Sequence, residues 1–107
     1  MIQTLFYIII SGCTSSPIII IQPRDVVVTN RHFTVLCITA KGNTVRWFRD
    51  YREIDFRETK DFHLTKDGSL YVVSAYKQRD EGTYQCLVSN KRGSVLSNKA
   101  MVKFPCK

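Results

Sequence analysis

Two widely separated cysteines, Cys37 and Cys86, constrain this chain more than any other feature of its sequence. Each lies in the middle of a run of alternating residues, Phe33 to Ile38 and Gly82 to Val88. Alternation with a period of two predicts β-strands, and it places each cysteine on the same face as bulky apolar neighbours. In a secreted chain, such a pair is expected to form a disulfide between two packed sheets.

Residues 1–23 differ from the rest of the chain because none of them is charged, whereas every Lys, Arg, Asp and Glu lies from Arg24 onward. The apolar run Leu5 to Ile10 is followed by the small residues of Ser11 to Ser16, which is the layout of a secretory signal peptide. We therefore predict a signal peptide over residues 1–16. Two alternatives stay open, a buried N-terminal strand and a signal anchor, although a glycine and a proline interrupt the roughly 20 apolar residues that an anchor needs.

The rest of the chain is enough for one domain and too little for two, because the whole sequence has 107 residues. We assign residues 17–104 to this domain and residues 105–107 to a tail or the start of a linker. Short apolar or β-branched runs recur along it, separated by turn residues such as Lys41 to Asn43 and Asn90 to Gly93. No helical stripe competes, so we predict an all-β domain that closes with one long strand, Ser94 to Phe104.

A set of spaced residues resembles the immunoglobulin superfamily, in particular its I-set domains. The set consists of Cys37, Trp47 and the pattern Asp80-x-Gly82-x-Tyr84-x-Cys86. The resemblance implies an all-β, immunoglobulin-like Greek-key β-sandwich of two antiparallel sheets. It also implies that Trp47 packs against the cysteine bridge and that Leu70 faces the core.

The other residues of the set have distinct roles in domains of this kind. The resemblance implies that Tyr84 forms a tyrosine corner and that Gly82 allows a close backbone approach at the turn into its strand. Asp80 is expected to hold this turn through a salt bridge, for which Lys60 is the predicted partner. Tyr51 stands where the family commonly has glycine, so the type of that turn stays open.

The last twenty or so residues of the domain resemble one group within this superfamily. The stretch from Cys86 to Ser94, followed by Ser97-x-x-Ala100-x-Val102-x-Phe104, is similar to modules of neural adhesion and guidance receptors such as contactins, the L1 group, sidekicks and netrin-receptor-like proteins. This implies a non-catalytic protein-recognition module of a secreted or cell-surface protein, as an N-terminal piece of a longer multi-domain chain. Two alternatives are a soluble glycosaminoglycan- or growth-factor-binding domain and a structural module of an intracellular muscle filament. Cys106 is left over, and it could pair with Cys13 or with another chain.

Catalytic chemistry has little support in the sequence. His32 and His63 are the only histidines, the acidic residues are scattered singly, and no nucleophile elbow is present. We read the two histidines as solvated surface residues. We therefore expect no enzymatic activity, no metal and no cofactor.

The excess of basic residues is informative about binding partners. The chain has 16 Lys and Arg against nine Asp and Glu, which gives a net charge of +7. On the implied fold, cations cluster in the loops at one end: Lys41, Lys66, Lys91 and Arg92. Others cluster at the opposite end: Arg49, Arg52, Lys77 and Arg79. Positive charge can steer binding to an acidic partner such as heparan sulfate. Nucleic acid is a poor partner for a domain outside the cell.

The candidate protein-binding surface lies on the strand that contains Trp47. If Trp47 faces the core, then Phe48 faces outward, on the sheet that such receptors often use for adhesion. We name Phe48, Arg46, Lys91 and Arg92 as candidate binding residues. The predicted partner is a homophilic or heterophilic cell-surface protein.

Overall fold

The structure is a computed structural model that describes residues 16–105. All but the last residue of the predicted signal peptide lies outside the described residues, as do Cys13 and Cys106. The strands in chain order are β1 (Ile19–Ile21), β2 (Val26–Val27), β3 (Phe33–Val35), β4 (Ile38–Thr39), β5 (Thr44–Arg49), β6 (Arg52–Glu53), β7 (Phe62–Leu64), β8 (Leu70–Val72), β9 (Gly82–Asn90), β10 (Gly93–Leu96) and β11 (Ala100–Lys103). One short helix, α1 (Lys77–Asp80), precedes β9.

The strands form two layers around one core. The larger sheet has the order β2-β11-β9-β5-β6, with β10 also paired to β9. The second layer has the order β3-β8-β7, and the small β1-β4 pair extends it because β4 follows β3 after a two-residue break. All pairs are antiparallel except β2 with β11. The arrangement confirms the predicted all-β sandwich.

The centre of the core is the pair of strands that carry Trp47 and Cys86, which lie opposite each other in the β5-β9 register. Cys37 and Cys86 form the expected disulfide between the layers, with 6.6 Å between their Cα atoms. Trp47 is fully buried, and its indole Nε1–H donates a hydrogen bond to the carbonyl oxygen of Gly68 at 2.9 Å. A Cβ on Gly68 would lie 2.8 Å from the carbonyl oxygen of Cys37. The β7-β8 turn therefore lies directly against the backbone of Cys37, one of the two bridged cysteines.

Tyr84 makes the contact that defines a tyrosine corner. Its hydroxyl donates a hydrogen bond to the carbonyl oxygen of Asp80 at 2.6 Å, and its ring packs edge-on against Phe33 with 6.1 Å between centroids. Gly82 lies where the chain turns into β9, and a Cβ there would lie 2.7 Å from a carboxylate oxygen of Asp50. The close approach expected for Gly82 is thus seen as a contact with the β5-β6 turn.

The burial of Tyr84 predicts a loss of stability at alkaline pH. Burial raises the pKa of Tyr84 from 10.0 to about 12. Its contribution is fully present below pH 10, the pKa of the unfolded chain, and is lost as the pH rises towards 12. From this group we expect a loss of about 3 kcal/mol in the free energy of unfolding, measured by urea unfolding between pH 9 and pH 12. Tyr84→Phe is expected to show a smaller alkaline loss, and an equal loss in both proteins would contradict the assignment.

The predicted salt bridge between Asp80 and Lys60 is wrong. Asp80 is fully buried, and its carboxylate pairs with the neighbouring Arg79, whose Nε lies 2.7 Å from Oδ1. Arg79 also donates through Nη1 to Asp61 at 2.7 Å, whereas Lys60 is exposed. A guanidinium group offers five donors in a planar fork and can serve two carboxylates at once, which an ammonium group does less well.

Two aromatic rings complete the environment of Arg79. The guanidinium carbon lies 4.8 Å from the ring centroid of Phe62 and 4.6 Å from that of Tyr76. The backbone N–H of Tyr76 also donates to the Asp80 carboxylate at 3.0 Å. The hydrogen bond to Asp80 raises the pKa of Arg79 further above its usual range, so the guanidinium group stays charged.

The prediction of one long final strand is also wrong. β10 ends at Leu96 and β11 begins at Ala100, so the two strands pair separately with β9. Ser97 causes the break: its N–H donates to the carbonyl oxygen of Cys86, and its hydroxyl accepts the N–H of Cys86, both at 2.9 Å. A side-chain oxygen thus takes a backbone donor that a continuous ladder would have used.

Candidate functional site

The outward side of the larger sheet brings together side chains from four strands. In register, Arg46 on β5 lies opposite Leu87 on β9, and Leu87 lies opposite Leu96 on β10. Phe48 lies opposite Glu53 on β6. Because Trp47 is buried, its neighbours on β5 point to the other side of the sheet. We call this surface the outer face, formed by Arg46, Phe48, Glu53, Leu87 and Leu96.

Arg46 is fixed on the outer face by two contacts. Its Nε and Nη2 donate to the two carboxylate oxygens of Glu53 at 2.9 and 2.6 Å, and its guanidinium carbon lies 5.6 Å from the ring centroid of Phe48. The hydrogen bond from Arg46 lowers the pKa of Glu53. Both charged side chains are about half exposed, so the pair orients the side chains more than it stabilises the fold.

Leu87 and Leu96 give the outer face an apolar stripe that the sequence analysis missed. Leu96 is 53% exposed and Leu87 is partly buried. In the register of the sheet they lie beside Arg46, on β9 and β10. The signal was present in the sequence, because Leu87 lies between Cys86 and Val88 and must face away from the core when they face into it.

The β5-β6 hairpin beside the outer face is a two-residue turn without glycine. Asp50 and Tyr51 both have positive φ, at 50° and 69°, where such turns usually have Asn-Gly. Two contacts compensate for this backbone strain. Asp50 exchanges hydrogen bonds of 2.8 and 2.9 Å with the backbone of Thr83, and Lys99 Nζ lies 5.3 Å from the Tyr51 ring centroid. The turn is therefore anchored to β9, which fixes the position of Glu53.

The four predicted binding residues do not form one site. Lys91 and Arg92 lie in the β9-β10 turn, beyond the pairing of Thr44 with Ser89. Phe48 is four positions along β5 from Thr44, which is about 13 Å in a strand. The structure therefore brings Arg46 and Phe48 together on the outer face and leaves Lys91 and Arg92 at one end of the sandwich.

The two groups of cations predicted at opposite ends differ in how they are paired. Lys41 and Lys66 line one shallow recess of about 450 Å³ between the β4-β5 and β7-β8 turns. At the other end, Arg79 is already held between two carboxylates. Within residues 16–105, the ion pairs involve only Arg46, Arg57 and Arg79 as cations.

The two histidines are exposed, and both lie beside one tyrosine. The ring of Tyr71 lies 6.3 Å from that of His32 and 6.0 Å from that of His63, measured between centroids. In the described part of the chain, no group of three or more His, Cys, Asp or Glu residues is placed to hold a metal ion. Residues 16–105 also contain no helix that is long and apolar enough to cross a membrane.

Comparison with known proteins gives consistent matches. The immunoglobulin domain family matches residues 16–90. Contactin-6 of Mus musculus is 37% identical over 99 residues, which cover 87% of this chain and 10% of contactin-6. Protogenin of Homo sapiens is 36% identical over 95 residues, which cover 82% of this chain and 8% of protogenin. The chain thus spans about a tenth of the length of the curated relatives that it matches.

Solved structures match the fold. The tandem Ig repeats of Dlar superpose with a TM-score of 0.75 at 20% sequence identity, covering 95% of this chain and 56% of that chain. Immunoglobulin domains 1-4 of Sidekick-1 superpose with a TM-score of 0.71 at 17% identity, covering 96% of this chain and 26% of that chain. At such identities the likeness concerns the fold alone.

Proposed function

The chain belongs to the immunoglobulin domain family, and from this premise we propose that it is a non-catalytic protein-recognition module of an adhesion protein. The similarity to contactin-6 and protogenin supports this class of protein. The absence of enzymatic activity stays a prediction.

The outer face is the observation that carries the proposal. It combines an apolar stripe, the exposed Leu96 and the partly buried Leu87, with an aromatic ring and an oriented ion pair. Interfaces between proteins typically have an apolar centre with aromatic and arginine anchors and a polar rim. The paired charges of Arg46 and Glu53 offer directional hydrogen bonds to a partner without a net local charge. Such a face suits a second protein surface, either of another copy or of a different cell-surface protein.

The proposed location is outside the cell, in a secreted or membrane-attached protein. The Cys37–Cys86 disulfide supports it, because disulfides persist in oxidising compartments and are rare in the cytosol. The same bond disfavours the alternative of an intracellular filament module. We propose the boundaries of the sequence analysis: a signal peptide over residues 1–16, the domain over 17–104 and a tail or linker over 105–107.

The test compares two substitutions that each put lysine in place of an exposed aliphatic residue on a strand. Leu96→Lys lies on the outer face, and Val27→Lys lies on the edge strand β2, where the side chain is 64% exposed. Beads coated with the secreted chain are mixed with each other and with a panel of cells that express adhesion proteins. We expect Leu96→Lys to weaken bead or cell binding by roughly tenfold and Val27→Lys to leave it unchanged.

Two outcomes would contradict the proposal. One is that the wild-type chain binds neither beads nor any cell line of the panel. The other is that Leu96→Lys binds as well as Val27→Lys. Because both sites are exposed, circular dichroism is expected to show the same folded domain for both variants.

Heparan sulfate, the other predicted partner, would bind elsewhere on the domain. The only cation on the outer face is Arg46, and Glu53 already neutralises it. A polyanion therefore finds no free positive charge at the proposed protein-binding surface.

A further inference from the structure

We propose that one end of the sandwich is a binding site for a sulfated polysaccharide, separate from the outer face. The site consists of three turns, those between β4 and β5, between β7 and β8, and between β9 and β10. We call it the three-turn end. Its cations are Lys41, Lys66, Lys91 and Arg92.

The topology brings these turns to one place. Lys41 and Lys66 line the same recess, whose floor includes Gly68 and Val45. The β9-β10 turn lies beside this recess, because Ser89 at the end of β9 pairs with Thr44 at the start of β5. Three segments that are far apart in sequence thus present their cations on one surface.

The positive charge at the three-turn end is free. Lys41, Lys66, Lys91 and Arg92 are all exposed, and within residues 16–105 none of them takes part in an ion pair. These turns contain one carboxylate, that of Asp67, against the four cations. This carboxylate accepts hydrogen bonds from the Thr65 hydroxyl and the Ser69 N–H, so its contacts lie within the β7-β8 turn.

The opposite end of the sandwich has fewer exposed cations, since only Arg52 and Lys77 of its four are exposed. There the guanidinium group of Arg79 is shared between Asp61 and Asp80 and lies between two aromatic rings. In the sequence, both ends carry four cations. They differ in the structure, because Arg79 at one end is held between two carboxylates, whereas all four cations of the three-turn end are exposed and form no ion pair within residues 16–105.

The shape and the charge of the three-turn end fit an extended polyanion. The recess is shallow and open, and its lysines stand on separate turns, so it suits a chain of spaced sulfates better than one enclosed anion. Anionic lipids concentrate on the cytoplasmic leaflet of membranes. The choice of a sulfated polysaccharide therefore rests on the extracellular location proposed above, whereas the charge argument does not.

The experiment compares two double variants that lower the net charge equally. Lys41→Glu with Lys66→Glu changes the three-turn end. Arg52→Glu with Lys77→Glu changes two exposed cations of the other end, neither of which forms an ion pair with any residue of the described part of the chain. The secreted chain is bound to immobilised heparin at physiological salt. We expect the first pair to lower heparin affinity by roughly tenfold or more and to flatten its salt dependence, and the second to lower affinity by less than about threefold.

Four results would overturn the inference. The wild-type chain could fail to bind heparin at physiological salt, both double variants could lose affinity equally, or the chain could bind phosphatidylserine-containing vesicles but not heparin. Desulfated heparin is expected not to bind, and binding equal to that of native heparin would also overturn it. Leu96→Lys is expected to keep full heparin affinity, so failure of the protein-recognition proposal and failure of this one are told apart.

Discussion

Replacing Arg79 with alanine is expected to lower the free energy of unfolding by about 3–5 kcal/mol, because a buried charge would lose its partner. The Asp80 side chain has no exposed surface, and Arg79 supplies two of its hydrogen bonds, at 2.7 and 3.0 Å. The substitution also removes the ion pair with Asp61 and the packing between Phe62 and Tyr76. A domain of this size is stable by only about 5–15 kcal/mol, so the loss is large. Guanidinium unfolding at pH 7 measures it.

The matched control is Arg57→Ala. Arg57 also pairs with an aspartate, Asp55, but its side chain is 90% exposed, so we expect little change in stability. Arg79→Lys is expected to recover part of the loss, since it keeps the charge and gives up the planar fork. If Arg79→Ala costs no more than Arg57→Ala, the buried ion pair does not hold the turn before β9.

Replacing both Cys37 and Cys86 with alanine is expected to cost about 4 kcal/mol of stability in the chain-entropy model. The bridge closes a loop with a sequence separation of 49, and its release gives the unfolded chain many more conformations. The expected result is a lower guanidinium midpoint, with the sandwich still folded at low temperature because Trp47 and Tyr84 keep the core.

Reduction separates the effect of the bond from that of the side chains. Wild-type protein in excess dithiothreitol keeps both sulfur atoms and is expected to fall to a midpoint close to that of the double variant. A reduced wild type that is as stable as the oxidised protein would show that packing, and not the covalent link, accounts for the stability of the core.

Alternation and spacing predicted most of the fold, because they report which face of each strand is buried. The strand that carries Trp47 and the strand that carries Cys86 follow this rule, and Leu70 is fully buried as expected. The predicted final strand is an exception to this rule. The N–H of Cys86 donates to the Ser97 hydroxyl and not to a backbone carbonyl oxygen, so the ladder is interrupted there. No pattern of apolar residues reports such a competition, which depends on the partner strand.

The site was harder to predict than the fold, because pairing of charges is a property of three-dimensional neighbours. The sequence position of Lys60 predicts it as the partner of Asp80, but the adjacent Arg79 reaches the carboxylate. Likewise, composition gives the net charge of +7 without saying which cations are neutralised within the fold. Only the register of β5 with β9 separates Lys91 from Phe48 and divides the candidate residues between two surfaces.

The hydrogen bond from the Trp47 indole to the carbonyl oxygen of Gly68 connects the core of this domain directly to the β7-β8 turn on its surface. The turn that carries Lys66 is tied by this bond to Trp47, which lies opposite the bridged Cys86. A ligand at the three-turn end therefore binds to a preformed backbone, and only the lysine side chains need to become ordered. Substitutions in the core are consequently expected to change ligand affinity at the three-turn end, although the substituted residues do not contact the ligand.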